Sequence, residues 1–300
     1  MGGCMKVVNL SKNQFYRLSP LPLETGICNS EGDILEFQKR TKSYILKKLK
    51  ETEGPVFANK LYTIEMLDAH RDSIPSEFTL PTSLLSIQGK LSGFVMPKIQ
   101  GVNLQTVLDD PTVDAKEKIY YLKTIGQLLE KIKHLQQYGN LSDFHINDLH
   151  ESNIIINPQK KEIHIVDTDS CKIAGNKTFF ARYLSPSALL SHEISGKYPI
   201  TENNGMGAFV DATENTDLYC YMIMILNFLS RTKDFNFSKP EEFYSYLTYL
   251  SDIGIDKELI DIFSNLLTAK QNQNPYHLLD TLSYEQLGKA SKNVFSLKKS

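Results

Sequence analysis

Three residues in the segment 147–170 have the types and the spacing that phosphoryl transfer requires. Asp148 is followed five positions later by Asn153, and Asp167 comes at the end of an apolar run. Phosphoryl transfer needs a carboxylate that orients the acceptor hydroxyl, and hard oxygen ligands that hold magnesium against the phosphates. Asp148 suits the first role, whereas Asn153 and Asp167 suit the second. Alternatively, Asp148 and Asn153 only cap turns and Asp167 only ends a strand.

The elements that would position these residues are a short hairpin and a set of helices. NIIIN at 153–157 and IHIVD at 163–167 predict two short strands around the turn PQKKE. From Lys116 the apolar residues recur every three or four positions, which predicts a long helix that ends at Gly139 as a C-cap. The apolar run from Leu218 to Leu229 is shorter than the roughly 18 residues of a membrane-spanning helix, so we expect a buried core helix.

The first hundred residues show a different pattern, with short apolar stretches separated by turn residues. DILEF at 33–37, SYILKKL at 43–49 and LSGFVMPKI at 91–99 predict antiparallel strands. FANKLYTIEMLDAH at 57–70 places Leu61, Ile64 and Leu67 on one helical face, so we expect a single helix between the second and third strands.

These features together resemble the protein-kinase-like superfamily, in particular divergent bacterial or phage-type serine/threonine kinases. In that family Asp-x-x-x-x-Asn precedes a hairpin that ends in the metal-binding aspartate, as Asp148, Asn153 and Asp167 do here. The resemblance covers roughly residues 20–290 and is clear only between about 90 and 230. It implies an α+β, two-lobed fold. The N-lobe, residues 1–99, would be a small antiparallel sheet with one helix, and the C-lobe, residues 100–300, would be larger and mainly helical. ATP and Mg²⁺ would be the cofactors.

The resemblance also implies an ion pair that positions the phosphates of ATP. Lys47 in YILKKL takes the place of the family's strand lysine because it alternates with the apolar Ile45, whereas a shift of one residue would give this role to Lys48. Glu65 is the predicted helical partner of the lysine, since it precedes the apolar Met66 as the family's glutamate precedes its own core residues. An ordinary solvated helix charge is the alternative for Glu65.

The rest of the implied nucleotide site comes from two segments. Gly26 and Gly32 stand where the family usually has three glycines whose amides cradle phosphate, although a plain hairpin turn would also explain them. Met96 takes the gatekeeper position beside adenine, followed by Pro97, which has no amide hydrogen. In the family, the residue after the gatekeeper offers adenine only its carbonyl, and the amide donor comes two residues after that residue, here Ile99. Pro97 is therefore compatible with adenine binding.

One further residue is implied to support the catalytic loop. Asp217 resembles the buried aspartate that opens the family's central helix, where a carboxylate accepts backbone N–H groups of the loop that carries Asp148. A plain helix N-cap formed with Thr216 is the alternative.

The sequence departs from the family pattern in the segment between the metal-binding aspartate and the core helix. Asp-Phe-Gly reads Asp167-Thr168-Asp169, and Ala-Pro-Glu reads Ser185-Pro186-Ser187. The lysine, glutamate, catalytic aspartate and metal ligands are all present, so we expect an active enzyme rather than a pseudokinase.

Asn147 stands where the family has an arginine that pairs with a phosphorylated activation segment. We therefore expect activity that does not depend on phosphorylation between Thr168 and Ser187. The segment would instead be held by packing of its apolar side chains, which are Phe179, Phe180, Tyr183 and Leu184.

The acceptor is indicated less clearly. DLHESN, with His150 where protein kinases commonly have lysine, is similar to aminoglycoside and choline kinases, which act on small molecules. The YLSP stretch before the core helix is typical of protein kinases, so a protein serine or threonine hydroxyl is the favoured acceptor. A nucleotide-binding scaffold without turnover, or an enzyme that transfers AMP instead of phosphate, would also fit these residues.

Charge and cysteine content limit the partners. The 33 basic and 35 acidic side chains leave a net charge of −2, so no overall field would recruit nucleic acid or an acidic membrane. The start MGGCMK lacks the Ser or Thr that the acylation motif requires at the sixth position. The four cysteines form no CxxC pair, which fits the reducing cytoplasm. The expected partners are ATP and a protein substrate, and the sequence does not indicate an oligomeric state.

Overall fold

The computed structural model describes residues 5–21, 31–179, 200–203, 207–210, 212–230, 240–268 and 273–288. The fold is α+β, and its larger sheet has six strands in the order β1-β5-β6-β4-β3-β2. These strands are β1 Val7–Leu10, β2 Ser19–Pro20, β3 Gly32–Lys39, β4 Lys42–Leu49, β5 Ser83–Ile87 and β6 Lys90–Pro97. The predicted strands at 33–37, 43–49 and 91–99 correspond to β3, β4 and β6, which pair antiparallel.

Two predictions for this sheet were wrong. It is mixed rather than antiparallel, because β1 pairs parallel with β5. It also carries two helices rather than one, α1 (Lys12–Tyr16) and α2 (Gly54–Ala69). Each helix covers one face, since Phe57 and Ile64 of α2 pack with Ile45 whereas Phe15 of α1 packs with Leu46. Adjacent residues of β4 thus point to opposite faces, as the pleat of a strand requires.

Two smaller sheets follow. One joins β7 (Val102–Asn103), β8 (Ile154–Asn157) and β9 (Glu162–Ile165) in that order. β8 and β9 pair antiparallel from Ile154 opposite Ile165 to Asn157 opposite Glu162, which confirms the predicted hairpin. The other joins β10 (Thr178–Phe179), β12 (Gly207–Val210) and β11 (Ile200–Asn203), also antiparallel.

The helices that follow the large sheet build the main core. They are α3 Leu104–Asp109, α4 Ala115–Tyr138, α5 Glu214–Ser230, α6 Pro240–Asp252 and α7 Lys257–Ser264. The predicted long helix is α4, which begins after Asp114, whose side chain accepts the amide of Lys116, and has Gly139 as its C-cap. The predicted core helix is α5, and its residues from Thr216 to Asn227 are all buried. No helix in the described ranges is long and apolar enough to cross a membrane.

The segment between α2 and β5 fastens the large sheet to the hairpin. Ile165, at the end of β9, donates its amide to the Glu77 carbonyl at 2.7 Å and accepts the Thr79 amide at 2.9 Å. Phe78 packs edge-on against Phe144, with ring centroids 5.2 Å apart. Because Phe144 lies four residues before Asp148, the hairpin and the loop before it share one apolar support.

Candidate active site

Lys47 projects from the middle of the six-stranded sheet into the interior. Its residue pairs with Ile34 of β3 and Phe94 of β6, and only 1% of the side chain is exposed. The ammonium lies 2.5 Å from Asp167 Oδ1 and 3.0 Å from Asp169 Oδ1. Lys48 points to the opposite face, where it pairs with Asp33 at 3.4 Å. Of the two candidate lysines, the register brings Lys47 to the interior.

The predicted pair between Lys47 and Glu65 does not form. Glu65 lies on the exposed side of α2, and the acidic partners of Lys47 are Glu31, Asp167 and Asp169. The buried face of α2 is set by its contact with the sheet and presents a different charged residue, Lys60. That face comprises Phe57, Lys60, Thr63, Ile64 and Leu67, which recur at helical spacing. Glu65 follows Ile64 directly, about 100° further round the helix, and therefore turns to solvent.

Lys60 joins Lys47 in a charged cluster that the sequence did not predict. Its ammonium lies 2.8 Å from Glu31 Oε2 and 2.9 Å from Asp169 Oδ2. Glu31 Oε2 is also 3.2 Å from the Lys47 ammonium, so both lysines share the same two acidic neighbours. A helical position four residues before the core residue Ile64 was the available signal for Lys60, and the spacing of two residues from Asp167 was the signal for Asp169.

Burial and charge act against each other in this cluster. Burial by itself would raise the pKa of Asp169, but the ammonium groups of Lys47 and Lys60 hold it well below its usual range. Burial would likewise lower the pKa of Lys47, but Asp167, Asp169 and Glu31 together raise it well above its usual value. The pKa of Asp167 is raised to about 6, mainly by burial, against the attraction of Lys47. Two cations therefore face three carboxylates, and Asp169 is held in the ionised form more firmly than Asp167.

Asp148 and Asn153 lie together in the loop before β8. The Asn153 amide nitrogen donates to the Asp148 backbone carbonyl at 3.1 Å and to its Oδ2 at 3.2 Å. His150 accepts the Ser152 amide at Nδ1, so in the neutral ring the proton is on Nε2, which lies 3.6 Å from the same Asp148 Oδ2. The loop thus closes on itself around the Asp148 carboxylate, with a short 3₁₀ turn from Glu151 to Asn153.

The backbone at both ends of this region adopts an uncommon conformation. Asn147 has φ 66° and Asp167 has φ 59°, in the left-handed region that asparagine and aspartate enter more readily than other non-glycine residues. The backbone carbonyl of Asn153 accepts the Val166 amide at 2.9 Å, and this bond joins the loop to the residue before Asp167. Backbone strain of this kind is often concentrated at functional sites.

Asp217 anchors the loop from below. Its Oδ2 accepts the Ile146 amide at 2.9 Å and its Oδ1 accepts the Asn147 amide at 2.8 Å, which confirms the predicted contact with the loop backbone. Asp217 is itself buried near the start of α5. The left-handed conformation of Asn147 is therefore held by a hydrogen bond from a rigid core helix.

The implied adenine and glycine-loop residues are only partly described. Met96 is buried near the end of β6 and Pro97 is its last residue, and the Ile99 amide makes no hydrogen bond to any residue in the described ranges. Gly32 is the first residue of β3, where an added Cβ would collide with the Lys48 carbonyl oxygen, so close pairing of β3 and β4 requires glycine. Gly26 lies outside the described residues.

The donor set around Asp167 and Asn153 fits magnesium better than it fits a metal held by protein alone. Within the described ranges, no group of three His, Cys, Asp or Glu side chains is arranged to hold a metal. Magnesium commonly takes one or two protein ligands together with substrate phosphates and water. Lys47 uses Oδ1 of Asp167, and Asn153 uses its amide nitrogen for Asp148, which leaves one oxygen of each side chain suited to such a role.

No protein-family model matches the sequence, and no curated protein matches it either. The geometry of the site is therefore the basis for a functional proposal.

Proposed function

We propose that this chain is an ATP- and Mg²⁺-dependent phosphotransferase with the two-lobed protein-kinase-like fold, and that it phosphorylates serine and threonine hydroxyls of proteins. The observation that supports this most is the ion pair between the buried Lys47 and Asp167, next to a hairpin whose preceding loop holds Asp148 against Asn153. The two lobes would divide near residue 99. The two apolar clusters on the faces of the large sheet contain only residues before 99, whereas the main helical cluster also takes in Leu67, Ile74, Phe78 and Leu80.

In this proposal Asp148 orients the acceptor hydroxyl and accepts its proton. Asn153 and His150 both approach Oδ2 of Asp148, so they fix the rotation of the carboxylate about its Cβ–Cγ bond. Asp217 fixes the backbone before it. A positioned general base of this kind contributes typically about 10²- to 10⁴-fold to a rate.

Lys47 would bind the phosphates, with Asp167 and Asn153 as the magnesium ligands. Held by these two side chains, Mg²⁺ would supply positive charge that offsets the negative charge on the phosphates during transfer. Met96, Pro97 and Ile99 would line the adenine site, with the Ile99 amide as the donor. Gly26 and Gly32 would belong to the loop over the phosphates.

A small-molecule acceptor is the second candidate because of one observation. His150 is buried beside Asp148, at the position where the resemblance to aminoglycoside and choline kinases arises. An assay with labelled ATP separates both kinds of kinase from a nucleotide-binding scaffold and from an AMP-transferring enzyme.

The test is incubation of the purified protein with Mg²⁺ and either γ-labelled or α-labelled ATP, with and without a mixture of candidate protein substrates. We expect label on protein from γ-labelled ATP only, and none with the Asp167→Ala variant. Label from α-labelled ATP alone would mean AMP transfer. Binding of ATP without any transfer would mean a scaffold, and transfer only to added amino sugars or amino alcohols would mean a small-molecule kinase.

The proposed location is the cytoplasm, with ATP and a protein substrate as partners and no role in nucleic-acid or membrane binding. Cys171 and Cys220 are buried free thiols, which supports a reducing compartment.

A further inference from the structure

Glu31 lies at the solvent side of the two buried lysines. Its Oε2 is 2.8 Å from the Lys60 ammonium and 3.2 Å from that of Lys47. The lysine side chains are 6% and 1% exposed, whereas that of Glu31 is 35% exposed. On the inner side, the fully buried Asp169 accepts from Lys60 at Oδ2 and from Lys47 at both oxygens. Glu31 is thus the outer carboxylate of the cluster and Asp169 the inner one.

Two ammonium groups that meet at a single carboxylate oxygen also provide the contacts that a phosphate oxygen needs. Lysine is a common phosphate ligand that acts as a point charge and can donate to an oxygen from several directions. Asp169 holds Lys60 in place whether or not Glu31 is present, since the 2.9 Å contact to Oδ2 is independent of Glu31. The position of Glu31 Oε2 is therefore a preformed site for an oxygen anion.

Glu31 can leave this position without disturbing the sheet. Its backbone carbonyl accepts the Lys50 amide at 2.9 Å, which continues the pairing of β3 and β4. Only the side chain needs to rotate into solvent, and a carboxylate that is already partly exposed loses little hydration in its paired position.

We propose that Lys47 and Lys60 together form a two-lysine phosphate site, and that Glu31 competes with the nucleotide's phosphate for it. This inference rests on the proposed function, and it adds a second phosphate ligand and an internal competitor to the site. The sequence predicted that α2 would face Lys47 with the carboxylate of Glu65. The structure has the cation Lys60 on the buried face of this helix instead. The helix would then contribute to nucleotide binding directly, through a cation, rather than through a carboxylate that positions Lys47.

The test compares affinities for ATP and for adenosine, measured by titration calorimetry at a fixed Mg²⁺ concentration. Adenosine keeps the base and ribose but has no phosphate. We expect Lys60→Gln to weaken ATP binding by about tenfold or more, because a charged hydrogen bond is lost, and to change adenosine binding less than about twofold. We expect Glu31→Gln to strengthen ATP binding by about three- to tenfold, because the competing charge is removed.

Two further variants keep the test decisive. Lys60→Arg keeps the charge and should retain most of the ATP affinity, which separates loss of the cation from damage to the fold. Lys48→Gln is the matched control, since Lys48 is the neighbouring lysine of β4 on the opposite face and pairs with Asp33. It should bind both ligands as the wild type does.

Three results would overturn the inference. One is Glu31→Gln with unchanged or weaker ATP affinity, the second is Lys60→Gln with unchanged ATP affinity, and the third is an equal loss of ATP and adenosine affinity in Lys60→Gln. Failure of the proposed function looks different, because the wild type would then bind neither ligand or would transfer no phosphate. If the wild type transfers phosphate but the Lys60 and Glu31 variants bind ATP as the wild type does, only the two-lysine site is rejected.

Discussion

The carboxylate of Asp148 is held at one oxygen by an amide donor and by an imidazole. Asn153 donates to Oδ2 at 3.2 Å and His150 Nε2 lies 3.6 Å from it. An amide in place of this carboxylate would have nearly the same shape but could not accept the acceptor's proton. We therefore predict that Asp148→Asn binds ATP within about twofold of the wild type and loses roughly 10²- to 10⁴-fold in turnover.

The measurement pairs ATP titration with initial rates of label transfer. Asp252→Asn is a matched control, because Asp252 is an exposed aspartate at the end of α6. It should retain both properties. Transfer at the wild-type rate by Asp148→Asn would remove Asp148 from the proposed chemistry.

The interior lysine was predictable from the sequence, but its partners were not. Alternation along one strand is a local property, so the pattern around Ile45 was enough to place Lys47 inside. The rotation of α2 about its axis depends on what the helix packs against, and Met66 alone did not fix it. Local spacing could mark Lys60 and Asp169 as candidates, but not that they meet each other and Glu31, because these contacts join residues far apart in the chain.

At the scale of elements, α2 is fastened to the segment that follows Asp167. The Asn176 amide nitrogen donates to Thr63 Oγ1 at 2.6 Å and to the Cys171 carbonyl at 3.0 Å, and its Oδ1 accepts the Ile173 amide at 2.9 Å. Asn59 makes two further bonds with the Lys177 backbone. These contacts set the position of α2, and with it the position of Lys60.

We predict that Asn176→Ala lowers the free energy of unfolding by about 2–3 kcal/mol, because several buried polar groups lose their partner. Asn59→Ala, which removes more exposed bonds, should cost about 1 kcal/mol or less. Denaturant unfolding of both variants measures the difference. Equal losses would mean that the buried amide does not fix the segment to α2.

The contact between α5 and the loop that carries Asp148 should make stability depend on pH. Burial raises the pKa of Asp217 from 3.8 to about 7, and the amides of Ile146 and Asn147 act in the opposite direction. The Asp217 carboxyl group therefore holds its proton more tightly in the folded protein than in the unfolded chain. As a result, the contribution of Asp217 to the free energy of unfolding falls as the pH rises from about 4 to about 7.

We predict that the wild type exceeds Asp217→Asn in unfolding free energy by more at pH 5 than at pH 8, as measured by denaturant titration. His145 faces the same carboxylate, with Nδ1 3.8 Å from Asp217 Oδ2, so His145→Gln at both pH values accounts for the imidazole. A difference between wild type and Asp217→Asn that does not change with pH would contradict the assignment.

The elements with strong local periodicity were predicted correctly, and those defined by distant pairing were not. β3, β4, β6, α2, α4, α5 and the β8–β9 hairpin each carry their own apolar pattern. β1 has only four residues, and only one of them, Leu10, is buried, so its sequence gives little sign of a strand. Its parallel pairing joins Val7 to Leu84, a separation that local sequence does not encode.

At the scale of the whole molecule, the segment after Asp167 contacts both the sheet and the helical part. Asp143 accepts the amides of Ala174 at 3.0 Å and Gly175 at 2.6 Å, and the His145 and Lys172 backbones exchange two hydrogen bonds. Together with the contacts to α2, these bonds connect the two parts of the fold through residues 171–178.

We predict that the protein is active without phosphorylation between Thr168 and Ser187. A phosphate that orders such a segment needs a cationic partner to offset its desolvation, and Asn147 stands where the proposed protein-kinase-like pattern has the arginine that would supply it. Thr168 and Thr178 are buried, 1% and 3% exposed, so a kinase would reach neither hydroxyl without local unfolding. The predicted packing of Phe180, Tyr183 and Leu184 lies outside the described residues, as does the side chain of Phe179.

Treatment of the purified protein with phosphatase should therefore leave the rate of transfer unchanged. A large fall in rate that is restored by preincubation with ATP would instead show that a phosphate switch controls this fold, and that hydrogen bonds such as those of Asp143 do not suffice to hold the segment.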